Sequence, residues 1–129
     1  MCQEEQNQQG GAMGRAYHKN LIVWQKADVL VQEIYCLTKS FPKEETYGVV
    51  SQLRRAALSI VLNLVEGCAR QGRKELKHFV SIALGSQAET EYLLELSWKL
   101  SYLSKTDFEK LEALRGDVGG LLWGFFRKI

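Results

Sequence analysis

The residues with which this chain could do acid–base, nucleophilic or metal chemistry are two histidines, three cysteines and a short series of carboxylates. His18 precedes the first apolar run, and His78 stands among Lys74, Lys77 and Phe79. Neither has a nucleophile or a second metal ligand at useful spacing, so each reads as an ordinary surface or edge histidine. Cys2, Cys36 and Cys68 are widely separated and form no CxxC pair. That pattern fits reduced thiols better than a disulfide framework or a zinc site. Glu91 and Glu95 stand one helical turn apart, as in the carboxylate metal centres of helical bundles, but the Glu-x-x-His partner is missing. Their expected role is exposed charge, or pairing with an arginine of a neighbouring helix. The glycines of Glu66 to Glu75 lack the preceding strand and the Gly-Lys-Ser/Thr ending of a phosphate loop. A non-enzymatic protein with no cofactor and no metal is the expectation.

Phosphate binding is the remaining chemistry. Arg70, Arg73, Lys74 and Lys77 gather around one turn between helical segments, and Arg54 and Arg55 lie on the segment before it. Cations beside a helix N-terminus add to the positive end of its dipole and can meet an anion. The competing reading is a solvated charge cluster, since such groups are common on surfaces. A net charge of +2 is too small by itself to announce nucleic acid. A cyclic assembly, however, would repeat the cluster into a ring of one sign.

The elements that must position these residues are helices. With 129 residues, 46% of them hydrophobic and 25% charged, the chain reads as one ordinary globular domain. No apolar run approaches the ~20 residues that cross a membrane, and no signal peptide opens the chain, so a cytoplasmic protein is expected. Met1 to Tyr17, rich in Gln, Glu and Gly, is expected to be a disordered tail, with the folded domain from His18 to Ile129. From Asn20 as N-cap, the stripe Val23, Ala27, Leu30, Ile34, Leu37, Phe41 marks a first helix ended by Pro42. A second runs from about Thr46 to Ala69, and a third from Arg73 to about Leu103. In the third, Gly85 suggests close approach of another backbone. A fourth starts at a capping box, Thr106 with Glu109, and continues through Phe125, with Gly116, Gly119, Gly120 and Gly124 expected to fray or kink its end. Four amphipathic helices with short links predict an all-α, up-down-up-down antiparallel four-helix bundle.

The second helix has more faces than one bundle needs. Val50, Leu53, Ala57, Ile60 and Leu64 form a core stripe, while Arg54, Leu58, Val61, Leu62 and Val65 form a neighbouring one. On the far side Gln52, Arg55, Ser59, Asn63 and Glu66 make a polar ladder. Either the ladder is solvated, or it is buried between subunits or lines a channel. Leu58, Leu62, Val65, Asn63 and Glu66 are the expected oligomer interface.

Several motifs in fixed order carry a resemblance: LIVWQKA at Leu21 to Ala27, FPKEETYG at Phe41 to Gly48, SQLRRAALSI with Asn63, Glu66, Gly67 and Arg70 beyond it, Lys74-Glu75, and IALGSQAE at Ile82 to Glu89. Together they resemble the bacterial four-helix bundle protein family, first noticed in intervening sequences of large-subunit ribosomal RNA genes. The resemblance implies a homopentameric ring. It also implies kinship with the accessory variability proteins of diversity-generating retroelements, which bind nucleic acid and a reverse transcriptase through a basic surface. Where the family commonly has proline, this chain has Val61, so a kink in the second helix should be reduced or absent. The glycine-rich segment Gly116 to Gly124 is a second departure. The expected function is therefore a homo-oligomer, a pentamer, binding RNA or an RNA/DNA duplex through phosphate contacts at Arg54, Arg55, Arg70, Arg73, Lys74 and Lys77. The alternative is a protein-interaction scaffold in which those arginines make inter-subunit salt bridges.

Overall fold

A computed structural model describes residues 17–129; all but the last residue of the expected tail lies outside them. Four helices follow one another: α1 (Ile22–Leu37), α2 (Val49–Ala69), α3 (Arg73–Lys99) and α4 (Lys105–Lys128). Short 3-10 turns occupy Tyr17–Asn20, Thr38–Ser40 and Lys43–Glu45, and there is no strand among the described residues. Each helix packs on the next and α4 closes back on α1, with the α2–α3 interface the largest. Cross-helix pairs fix the direction. Ser59 meets Ser86 while Arg70 meets Glu75, and Lys26 meets Asp117 while Lys110 meets Glu33. In both interfaces one number rises as its partner's falls, so neighbours are antiparallel, as the short links require.

The periodicity that predicts the helices also selects the core. Ala27, Leu30 and Ile34 of α1 meet Leu53, Ala57, Ile60 and Leu64 of α2, Val80, Ala83 and Leu94 of α3, and Leu111, Val118 and Leu122 of α4, all fully buried. The predicted α2 core stripe lies inside in full, together with Val61. The α1–α4 seam contains one buried charge, Glu33, whose Oε1 lies 2.9 Å from Lys110 Nζ.

Helix ends depart from the expectations for local reasons. α1 stops at Leu37 rather than Phe41, because Pro42 forces Phe41 into extended backbone (φ −68°, ψ 157°). Thr38 Oγ1 donates to the Ile34 carbonyl there at 2.7 Å. Asn20 is not the N-cap: that position falls to Leu21, whose N–H donates to the His18 carbonyl. α3 ends at Lys99, where Ser101 takes φ 64°. Tyr102 N–H donates to the Ser97 carbonyl (2.8 Å) and Ser101 N–H to that of Trp98 (2.9 Å), a Schellman ending without glycine. The cap of α4 is Ser104, two residues before the expected Thr106; its Oγ accepts from Asp107 N–H at 3.0 Å.

α2 runs unbroken through Val61. α4 also runs unbroken to Lys128, correcting the expected fraying, because Val118 and Leu122 pack inward while Gly116 and Gly120 fall on the outer face. Gly85 is exposed and a Cβ there would meet nothing within 4 Å, so the expected close approach is not made among the described residues. Gly119 instead makes room for a side chain: a Cβ there would lie 2.9 Å from Gln87 Oε1.

The start of α2 is tied to the α3–α4 link through one carboxylate. Glu45 Oε1 accepts from Val49 N–H at 3.1 Å and Oε2 from the Tyr102 hydroxyl at 2.8 Å. The Val49 N–H first, and the Tyr102 hydroxyl second, hold the Glu45 carboxyl below its ordinary 4.5. A depressed carboxylate contributes stability that is present above its unfolded value and lost as the pH falls through its folded one. Tyr102→Phe is therefore expected to lower the melting temperature at neutral pH. That difference from wild type should shrink in melts taken as the pH drops below 4.5.

Candidate nucleic-acid interface

The antiparallel topology gathers cations at one end of the bundle. The link from α2 to α3 is tight, turning at Gly72 with φ 90°, a value that favours glycine. Arg73 and Lys74 open α3 directly after it, both exposed and without an ion pair among the described residues. Lys77, one turn on, places Nζ 4.8 Å from the centre of the Phe126 ring. That contact shows that the last turn of α4, with exposed Arg127 and Lys128, returns to this end. The Tyr17–Asn20 turn at the start of α1 adds Lys19.

Arg73 and Lys74 sit where a helix disfavours them. The first turn of α3 is the positive end of its dipole, and a cation there forgoes the ~0.3–1 kcal/mol that an anion would gain. Glu75 is the acidic residue of that turn, but it is engaged with Arg70. The arrangement is electrostatically unsatisfied among the described residues. A phosphate would satisfy it.

Not all of the sequence-derived cations join this end. Arg70 does, but it is pinned: Nε lies 2.8 Å from Glu66 Oε2, a terminal nitrogen 3.1 Å from Glu75 Oε1, and the guanidinium 5.0 Å from the Phe79 ring centre. The hydrogen bond to Glu66 is the main cause that keeps its pKa above the ordinary arginine value. Arg54 stands sixteen residues earlier on α2, about 24 Å away along the axis. It ties α2 to α1, with Nε donating to Thr38 Oγ1 (2.9 Å), a terminal nitrogen donating to the Tyr35 carbonyl (3.0 Å), and its plane over the Tyr35 ring. Arg55 is exposed near Arg54, far from Arg73.

The polar ladder follows the α2–α3 seam. Ser59 Oγ and Ser86 Oγ are 2.7 Å apart, and the Asn63 amide donates to the Ser59 carbonyl (2.8 Å) and hydroxyl (3.0 Å). Its ends, Gln52, Arg55 and Glu66, are exposed. Beside it Leu62 is 54% exposed, with Leu58 and Val65 half-buried. This is an apolar ridge that the other helices among the described residues leave open at Leu62.

The remaining chemically able residues are held in structural contacts. Glu91 pairs with Arg115 at 3.6 Å, and Arg115 also binds Glu112 and donates to Gln87 Oε1 at 2.8 Å. Glu91, Glu95 and Glu112 line a shallow cavity of about 300 Å³ with Ala88, Tyr92 and Phe108. His18 packs edge-on to Trp24, where burial lowers its pKa, and His78 packs edge-on to Phe79. Cys68 is a free, half-buried thiol whose pKa burial pushes up.

Sequence reasoning missed Lys19, Arg127 and Lys128. The signal was available: in an up-down bundle the last turn of α4 must return to the first turn of α3.

Comparison with known proteins places this geometry. The model of the 23S rRNA-intervening sequence protein family matches residues 19–124. The chain belongs to that family. Among solved structures the chain is similar to a protein of unknown function from the S23 ribosomal protein family of Bacteroides thetaiotaomicron VPI-5482. It is 26% identical with a TM-score of 0.77, over 85% of this chain and 98% of that one. No curated protein matches the chain. The family match begins at Lys19 and ends at Gly124, so it includes the basic turn and stops before Arg127 and Lys128. No helix among the described residues is long and apolar enough to cross a membrane.

Proposed function

We propose that this member of the 23S rRNA-intervening sequence protein family is a non-enzymatic, cytoplasmic homo-oligomer, a pentameric ring, that binds structured nucleic acid by its phosphates. The observation that carries this reading is the unsatisfied basic end. Arg73 and Lys74 at the α3 N-terminus, with Lys19, Arg127 and Lys128 beside them, are exposed and have no carboxylate partner among the described residues. The ridge of Leu58, Leu62 and Val65 supplies the subunit contact, and ring symmetry repeats the basic end. The family name supplies the setting, an RNA intervening sequence; an accessory role beside a reverse transcriptase is the related setting that the resemblance suggests.

The rival scaffold reading needs the arginines for inter-subunit salt bridges, whereas Arg54 and Arg70 are committed to contacts within the chain. The two separate in one experiment. Purified protein is weighed by light scattering, and its binding to a stem-loop RNA is titrated at graded salt. An oligomer whose affinity falls steeply with salt is the expected result. A stable monomer, or salt-independent binding, contradicts the proposal, and an oligomer that binds no RNA leaves the scaffold.

A further inference from the structure

We propose that Trp123 is a stacking platform for an unpaired base of the bound nucleic acid, with Lys77 and Arg127 holding the adjoining phosphates. The inference rests on the nucleic-acid reading above and adds to it a ligand class. Trp123 is 47% exposed near the end of α4. Its ring stands edge-on to Phe126, with centroids 5.7 Å apart and planes at 86°, so Phe126 braces one edge. The same Phe126 carries Lys77 Nζ 4.8 Å from its centre. Arg127 lies one turn beyond Trp123 on the same side of the helix.

An exposed indole among cations has two ordinary uses. At a protein interface lysine is depleted from the apolar centre, and this chain already presents an apolar ridge without lysine at Leu58, Leu62 and Val65 on another helix. In single-strand recognition, an aromatic face takes a base while neighbouring cations track the backbone, because every base offers a π-face. The nearest acidic side chain along α4 is Asp117, which faces Lys26 at 3.8 Å. A fully paired duplex offers no free base face, whereas loops and bulges of a structured RNA do. The site therefore selects RNA with an unpaired nucleotide beside a helical stem.

The test compares a stem-loop RNA with a blunt duplex RNA of equal length, using the full chain and its Trp123→Ala and Trp123→Phe variants. Wild type is expected to bind the stem-loop about ten-fold tighter than the duplex, from the usual gain of one stacked base. Trp123→Ala should lose that preference while keeping the salt slope and the oligomeric mass. Trp123→Phe, which still offers a ring, should retain most of it. Equal binding of both RNAs by wild type, an unaffected Trp123→Ala, or a Trp123→Ala that changes oligomeric mass would each overturn the platform. If wild type binds neither RNA, the nucleic-acid reading itself fails.

Discussion

Changing Arg73, Lys74 and Lys77 together to glutamate is expected to abolish RNA binding, by at least about a hundred-fold at moderate salt, since several phosphate contacts turn repulsive. Such a variant should not fail by unfolding. Arg73, Lys74 and Lys77 make no ion pair among the described residues, Lys77 lies over the Phe126 ring, and all three are exposed. Glutamate in the first turn of α3 suits the helix dipole better than the native cations do. The triple variant should therefore melt at or above the wild-type temperature and keep its mass in light scattering. Loss of binding with that profile isolates the charge. Binding that survives the reversal would move the interface away from this end, and loss of the oligomer would favour the salt-bridged scaffold.

The second large effect is on stability. Leu64→Ala is expected to destabilise the fold by about 2–5 kcal/mol, as removal of a fully buried leucine leaves a cavity that its neighbours only partly fill. That lowers the melting temperature by about 8–20 °C and removes a large share of a typical domain's ~5–15 kcal/mol. Leu62→Ala, two residues away on the same helix, removes the same atoms from a side chain that is 54% exposed. Thermal melts should barely shift for the separated subunit, while the oligomer should dissociate at higher concentrations than wild type. Equal destabilisation by both changes would mean that the α2 ridge is buried within the subunit and has no role between subunits.

The contrast between Leu62 and Leu64 shows what the sequence made legible. Spacing alone separated the core stripe of Val50, Leu53, Ala57, Ile60 and Leu64 from its neighbour, because burial follows the 3.6-residue period and the structure buries all five. The helix ends were less legible. Ser101 ends α3 in a left-handed conformation that only packing can impose on a serine. The glycines of α4 suggested a weak helix, but its inward residues outweigh an intrinsic cost of ~1 kcal/mol per glycine. The basic turn was visible as charge, yet its extent depended on chain reversal: Arg127 lies fifty-four residues from Arg73 and reaches the same end only through the bundle. Arg54 was indistinguishable from a free cation in sequence, because its partners Thr38 and Tyr35 lie across the α1–α2 seam and meet it only once the helices pack. Arg70 differs: Glu66 stands one helical turn before it, a spacing already present in the sequence.

The most direct measurement is the affinity of the wild-type oligomer for a stem-loop RNA as a function of salt. With four or more cations per subunit meeting phosphates, log K should fall linearly with log salt at a slope of about −3 or steeper. A flat line, or no binding at the lowest salt, would contradict phosphate recognition by the basic end.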